Sequence, residues 1–199
     1  MDFLNEKLHC ERALETALFA SPVPLEEVTT SSPGTYLLLY TGNLAMYGRL
    51  RRPGGSGDLR AISEAGGAPV YVGSAKSLCE RRGRHENNLR RCHDISTDDL
   101  LIITLPTPSE AGARYVEQLL MDTFRPVWNE SFVSGFGSKP QGISRTLHQR
   151  PPKWSILHPG RHATAGVEYS ERREALRQRV DQHLEHTVSD TFRIALPPR

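Results

Sequence analysis

The sequence predicts a single α/β (α+β) domain in which helices flank a small, mostly antiparallel, three-stranded central sheet. Three observations support this fold class. Three short apolar runs have the length of strands, two segments between and after them have helical periodicity, and 199 residues suffice for one domain with a sizeable core. We place an N-terminal helical extension at 1–30, the core at 31–130, and a basic arm with a C-terminal helix at 131–199.

The N-terminal part of the chain is predicted to contain one helix and the first core strand. Leucines recur at helical spacing over 3–19, and Pro22 and Pro24 end that helix. The β-rich run over 36–40 follows a Ser-Ser-Pro-Gly loop and forms the first strand. An insertion over about 43–68, rich in glycine and arginine, separates this strand from the next apolar run.

The most informative stretch of the chain is a short β run over 69–72 that leads through Gly73 into a basic helix. Within this helix Arg81 and His85 project from one face, one turn apart, beside two leucines. A tyrosine at the strand end, a glycine that lets another backbone approach, and this arginine–histidine pair together suit a phosphate. An amphipathic helix with a solvated basic edge accounts for the same residues, and both interpretations stay open at this point.

The third strand and the second helix supply one unusual carboxylate. Residues 99–105 are typical of a buried strand, and Ser109 is suited to cap a helix that continues to Phe124. Glu117 falls within the apolar stripe of that helix, where an uncompensated carboxylate would be costly to bury. Either it has a function, or it lies at the edge of the stripe and reaches water or an arginine. A last helical pattern follows over 168–186.

Basic residues are unevenly distributed, although the formal net charge is only +2. The stretch 131–167 contains no Asp or Glu, and its Gly- and Pro-rich composition suits an extended arm. Separate basic clusters in the insertion, in the first core helix and in this arm favour a surface that faces phosphates over chance grouping. The candidate phosphate-contacting residues are Arg51, Arg52, Lys76, Arg82, Lys139, Arg145, Arg150, Lys153 and Arg161.

The composition is typical of a cytoplasmic protein. Hydrophobic residues make up 37% of the chain, and no apolar run approaches the ~20 residues of a membrane span, so we expect no membrane partner. The N-terminus lacks the basic and then apolar order of a signal peptide. Three cysteines without CxxC spacing indicate reduced thiols. We therefore expect cytoplasmic localisation.

Two tripeptides and four residues downstream of them resemble the sequence signature of the GIY-YIG nucleases. Gly-Thr-Tyr at 34–36 occupies the place of the first half of that signature, and Tyr-Val-Gly at 71–73 that of the second. Several matches in the expected order are far more specific than any one tripeptide. The matched positions are Tyr36, Tyr71, Arg81, His85, Glu117 and Asn129.

The resemblance implies a GIY-YIG-like fold and hydrolysis of phosphodiester bonds in double-stranded DNA. One hydrated Mg²⁺ can relieve the charge that builds up on the phosphate, and a lone carboxylate that leaves positions open for water suits this ion. We expect Glu117 to be the metal ligand, with Mn²⁺ able to substitute for Mg²⁺. Arg81 is placed to hold the scissile phosphate by a forked contact, and His85 to accept or relay a proton.

For the tyrosines, the resemblance implies that Tyr36 or its hydrogen-bond partner helps to activate the water while Tyr71 orients it. The Gly-x-Tyr spacing favours Tyr36 over Tyr40 for this role. Whether Tyr36 or His85 is the proximal general base stays open.

The groups around the tyrosines are expected to adjust them. Because a tyrosine hydroxyl has an ordinary pKa of about 10, it is a weak base. We expect the metal, Arg81 and Lys76 to lower that pKa and to make the phenolate more accessible. Asn129 is expected to position Glu117 or the phosphate by hydrogen bonds.

Zinc ligation is the other chemistry that the residue types allow. Cys79, His85, Cys92 and His93 lie close in sequence, but their spacings match no zinc finger, and Cys79 and His85 face different sides of one helix. Histidines of the C-terminal arm are better suited to contact phosphates or bases; they are His148, His158 and His162.

Within this superfamily, the arm looks like the tail of the type II restriction endonucleases through its Lys-Pro, Trp and His-Pro-Gly-Arg elements. We predict such an endonuclease, acting as a homodimer because one site per chain must cut both strands of a palindrome, with a G·C-rich target. One alternative is a homing or repair-type endonuclease, which would need a further domain or a larger assembly. The other is a DNA-binding module without catalysis, which would have no need of Glu117.

Overall fold

The described part of the chain covers the predicted core almost completely. The predicted helix over 3–19, most of the insertion and most of the basic arm lie outside it. The computed structural model describes Arg12, Ala17 and residues 20–50, 68–137, 151–160 and 167–194, with the side chains of the last segment given for 172–187.

A four-stranded antiparallel sheet forms the centre of the structure, in the order β1-β4-β2-β3. Its strands are β1 (Val23–Pro24), β2 (Gly34–Tyr40), β3 (Pro69–Ala75) and β4 (Leu100–Pro106). The predicted fold class is confirmed, but the sheet has one strand more than the three predicted. The additional strand is β1, whose two residues are too few to show any periodicity in the sequence.

Strand β2 is the middle of the core, and all seven of its residues are buried. Its Leu37 and Leu39 side chains belong to a cluster with Val116 and Leu120 of the second core helix. Tyr36 belongs to the cluster on the opposite face. Since both faces of β2 are covered, its sequence is one continuous apolar run rather than an alternating pattern.

Two helices cover the two faces of the sheet. Helix α1 spans Leu78–Leu89, and the Ser77 side chain caps it by accepting from the Glu80 amide. Helix α2 spans Glu110–Phe124, and the Ser109 side chain caps it by accepting from the Gly112 amide at 3.0 Å. Helix α2 begins where the sequence places it, after Ser109, because this serine satisfies an amide that the first helical turn leaves unpaired. Helix α1 begins later than predicted, because β3 continues through Gly73 to Ala75.

The C-terminal part adds α3 (Lys153–Leu157) and the long helix α4 (Val167–Ile194). Short 3₁₀ turns occur at Leu25–Glu27, Ala45–Leu50, Thr97–Asp99 and Val127–Asn129. Within the described part of the chain, no helix combines the length and the apolar character that crossing a membrane demands.

Candidate active site

The pairing of β2 with β3 brings two tyrosines together at one end of the sheet. Tyr36 lies directly opposite Gly73, and the Tyr36 and Tyr71 rings are 6.0 Å apart between centroids. A Cβ added at Gly73 would collide with the Tyr36 hydroxyl and with the Tyr71 ring. Gly73 is therefore needed because its missing side chain leaves the space that both tyrosines occupy.

Helix α1 presents His85 to this pair of tyrosines. Tyr36 Oη and His85 Nε2 are 2.7 Å apart, and both side chains are 1% exposed. Tyr40, four residues further along the same strand, instead accepts a hydrogen bond from the Leu44 amide at 2.9 Å. Of the two tyrosines of β2, Tyr36 is therefore the one that the structure joins to His85.

Arg81 lies one turn before His85 and is half-buried. Its Nη1 donates to the Gly137 carbonyl at 3.5 Å, and its Nε–H is buried without a hydrogen-bond partner among the described residues. Gly137 also lies against the Tyr71 hydroxyl, where a Cβ would not fit. The first residues of the basic arm thus form one wall of the site, and the guanidinium keeps donor capacity for a ligand.

Phe136 is a site residue that the sequence analysis did not identify. Its ring lies parallel to the His85 imidazole, with an angle of 3° and a centroid distance of 4.6 Å, and it meets the Tyr71 ring at 5.0 Å. The residue is fully buried. Because the stack fixes the plane of the imidazole, Phe136 directs His85 Nε2 towards Tyr36. No sequence pattern marks this phenylalanine, which lies far from His85 along the chain.

Glu117 reaches the site from α2. Its carboxylate is half-buried at the edge of the apolar stripe, and Ser74 Oγ of β3 donates to its Oε2 at 2.6 Å. Among the described residues this serine is its hydrogen-bond partner, and the sequence analysis did not identify Ser74 either. The interaction compensates the carboxylate and orients it while its second oxygen remains available for a ligand.

The electrostatic environment keeps both tyrosines protonated. Burial, followed by the neighbouring Tyr71 and then by the negative charge of Glu117, raises the pKa of Tyr36 well above its usual value of 10.0, against a lowering effect of Arg81. Burial and Glu117 likewise raise the pKa of Tyr71, although Arg81 opposes them. The expected lowering of these pKa values is therefore wrong for the protein alone, since burial outweighs the arginine.

Asn129 supports the sheet. Its Oδ1 accepts from the Val72 amide at 2.8 Å, and its Nδ2 donates to the Val72 carbonyl, also at 2.8 Å. Because β3 is an edge strand, these backbone groups face away from β2 and would otherwise need water. The asparagine bonds the strand that carries Tyr71, and no described contact joins it to Glu117.

The predicted DNA-contacting residues fall into two groups. Lys76 forms an ion pair of 3.0 Å with Glu110, and Lys153 Nζ donates to the Ser131 carbonyl at 3.1 Å. Arg82 bonds Glu86 at 3.2 Å, away from the tyrosines. The remaining residues lie outside the described part of the chain: Arg51, Arg52, Lys139, Arg145, Arg150 and Arg161.

His158 is not placed to contact phosphates or bases, which corrects the expectation for that residue. It is 0% exposed, and its Nε2 lies 2.6 Å from Tyr47 Oη while its Nδ1 lies 3.2 Å from Asp94 Oδ1. It belongs to a buried polar network behind the site rather than to the surface.

The donor set of the site fits a magnesium-like ion better than zinc. Within the described residues no three His, Cys, Asp or Glu side chains converge on one point, as a structural zinc site would require. Glu117 offers a single carboxylate, which suits an ion that keeps most of its water. The residues considered as zinc ligands do not form a site in this part of the chain.

The family model described as the Eco29kI GIY-YIG domain matches residues 29–184 of the chain. The match covers more than half of the 199 residues and includes all the residues that carry the resemblance noted in the sequence. No curated protein shows a significant match. Nucleases of this type generally depend on a divalent metal.

Proposed function

The chain belongs to the Eco29kI GIY-YIG family and carries a nuclease domain, and we propose that it is a type II restriction endonuclease. It cuts both strands of DNA at a specific palindromic, G·C-rich site as a cytoplasmic homodimer with Mg²⁺. The observation that carries the proposal is the convergence of a hydrogen-bonded tyrosine–histidine pair, an arginine and an oriented carboxylate at one end of the sheet.

The proton of the attacking water leaves through Tyr36 and His85. Because the pKa of Tyr36 is raised well above 10.0, a stable phenolate does not form at neutral pH. The 2.7 Å contact with His85 Nε2 allows Tyr36 to give up its own proton to the imidazole as it accepts one from the water. Tyr36 is thus the proximal group and His85 the proton acceptor behind it.

Arg81 and Tyr71 orient the reacting groups. The half-buried Arg81 guanidinium, whose Nε–H has no partner in the described residues, donates to an oxygen of the scissile phosphate and stabilises charge that develops there. Tyr71 keeps its proton because its pKa is raised, so its hydroxyl can donate to the water or to the phosphate.

Glu117 would hold the metal, and Ser74 holds Glu117. When bound there, Mg²⁺ would supply positive charge to the phosphate and to the departing oxygen. The hydrogen bond from Ser74 Oγ to Oε2, at 2.6 Å, restricts the carboxylate to one orientation before the ion binds.

Digestion of plasmid DNA with and without Mg²⁺ tests the proposal. Wild-type protein should give discrete fragments only with the metal, and Glu117→Gln should give none while it still binds DNA. Asp122→Asn is the matched control, because Asp122 is an exposed carboxylate on the same helix that bonds Gln118 at 2.9 Å; it should cut like wild type.

The other outcomes would identify the alternatives. A smear, or nicks at unusual DNA structures, would indicate a homing or repair-type endonuclease. Binding by wild type without any cleavage would indicate a DNA-binding module and would end the proposal.

A further inference from the structure

A cleft of about 170 Å³ lies beside the candidate active site. It is bounded by the end of β3, by α1 and by the first turns of α2. Its polar lining consists of Ser74, Lys76, Arg81, Glu110 and Arg114. Ser74 and Arg81 belong to both the cleft and the active site, so the two are directly adjacent.

Two cationic side chains of the cleft form ion pairs with the same carboxylate. Glu110 Oε1 lies 3.0 Å from Lys76 Nζ, and its Oε2 lies 3.8 Å from Arg114 Nη2. The Lys76 and Arg114 side chains are 79% and 73% exposed. Exposed ion pairs contribute little to stability, so an incoming anion can replace Glu110 as the partner of either cation at small cost.

The floor of the cleft has room for an oxyanion. Ala75 and Ala113 line it, and their small side chains leave the space between the cations open. The Arg81 guanidinium, which is assigned to the scissile phosphate, also lines the cleft and adds a third positive charge. Three cations around one carboxylate leave a net positive charge, which favours the binding of an anion in this cleft.

We propose that this cleft binds the DNA backbone phosphate next to the scissile one, with Lys76 and Arg114 as its ligands and Glu110 as an internal counter-ion that the phosphate displaces. The inference rests on the proposed nuclease function, since it takes the Arg81 side of the site as the place of the scissile phosphate. Before DNA binds, Glu110 keeps both cations in position. Because its negative charge competes with the phosphate, it also weakens the binding of DNA.

Binding measured across a salt series separates these roles. In the Glu117→Gln background, Lys76→Ala and Arg114→Ala should each weaken DNA binding and lower the slope of log affinity against log salt by about 1. Glu110→Gln should tighten binding several-fold because it removes the competing charge. The controls are Arg177→Ala and Glu174→Gln, which break an exposed pair of 3.6 Å on α4 and should change neither quantity by as much.

Duplexes that carry one uncharged methylphosphonate at a time identify the phosphate. Affinity for the Glu117→Gln protein should fall when the neutral group lies next to the cleavage point, and the double variant Lys76→Ala/Arg114→Ala should lose that sensitivity. Equal sensitivity in both proteins, or effects of Arg114→Ala no larger than those of Arg177→Ala, would overturn the cleft assignment.

These results are distinguishable from failure of the proposed function. If wild type cuts DNA but its affinity does not depend on Lys76 and Arg114, only the cleft assignment fails. If wild type binds DNA without cutting it, the nuclease proposal fails, while a scan over every phosphate of the duplex still tests the cleft. Thermal melting of each variant confirms that the substituted proteins are folded.

Discussion

The Tyr36 hydroxyl is surrounded by groups that oppose its ionisation, and its hydrogen bond to His85 gives its proton an acceptor. Burial, Tyr71 and Glu117 raise its pKa, so in the proposed mechanism proton transfer depends on the 2.7 Å contact with the imidazole. The position of that imidazole depends in turn on Phe136 and on the space left by Gly73. At the residue scale, the proposed mechanism therefore depends on two residues that carry no reactive group.

Gly73→Ala should abolish cleavage, because the new Cβ would collide with the Tyr36 hydroxyl and the Tyr71 ring. The matched change is Gly83→Ala on α1, where a Cβ meets nothing within 4 Å. That variant should keep its activity and gain about 0.5–1 kcal/mol in unfolding free energy, as alanine favours helix. Cleavage assays and chemical denaturation measure both, and an active Gly73→Ala protein would contradict this account of the strand pair.

Phe136→Leu should lower kcat by roughly 10- to 100-fold, because small displacements of a catalytic group have effects of this size. The KM for DNA should change little, since Phe136 is fully buried. Phe132→Leu is the control: Phe132 packs on His183 at 5.7 Å, away from the tyrosines. If both variants lost kcat equally, the effect would be one of general packing rather than of imidazole orientation.

At the scale of elements, a side chain rather than a fifth strand closes the edge of β3 in the described part of the chain. Asn129 forms both hydrogen bonds that a neighbouring strand would form with Val72. The 3₁₀ turn at Val127–Asn129 thus holds the strand that carries Tyr71 and Ser74. It does so without extending the sheet into the region of Glu117.

Asn129→Ala should lower the unfolding free energy by about 1–3 kcal/mol, the cost of leaving buried polar groups unpaired. Hydrogen exchange should locate the effect. The Val72 amide should exchange faster, whereas the Thr41 amide, which donates to the Asp99 carbonyl at 2.8 Å, should keep its protection. Unchanged exchange at Val72 would show that Asn129 is not what holds this edge.

At the scale of the whole molecule, a buried chain of hydrogen bonds joins the core to α4. Trp128 Nε1 donates to Tyr47 Oη at 2.7 Å, and Tyr47 Oη lies 2.6 Å from His158 Nε2. His158 Nδ1 lies 3.2 Å from Asp94, which also accepts from Arg173 at 2.7 Å. Because a carboxylate can only accept, Nδ1 carries the proton of the neutral imidazole, and Nε2 then accepts from the Tyr47 hydroxyl.

This network should make stability fall with acid. Burial lowers the pKa of His158 below its usual 6.5, against the effect of Asp94. The contribution of neutral His158 to the free energy of unfolding is therefore complete above pH 6.5, the usual pKa of histidine. It is lost as the pH falls through the lowered pKa of the folded protein. Burial alone would raise the pKa of Asp94, but His158 and Arg173 hold it below 3.8, so its contribution too is present at neutral pH and lost in acid.

Urea denaturation from pH 7 to pH 5 measures the effect. Wild type should lose unfolding free energy over this range at no more than about 1.4 kcal/mol per pH unit from one group. His158→Asn should be less stable at pH 7 and should show a flatter pH dependence. His93→Asn, a change at an exposed histidine, should leave the slope of wild type intact, and a similar slope in the His158 variant would assign the pH dependence to other groups.

By itself the sequence determined the three longer strands, the two core helices with the Ser109 cap of the second, and the family residues in their order. These features are recorded locally, in periodicity, capping residues and short motifs, so they are visible without coordinates. Only the tertiary structure decided that Phe136 stacks on His85, that Ser74 holds Glu117 and that Asn129 bonds Val72. Each of these pairs joins residues far apart in the chain, and their proximity results from packing, for which no local pattern in one sequence provides a signal.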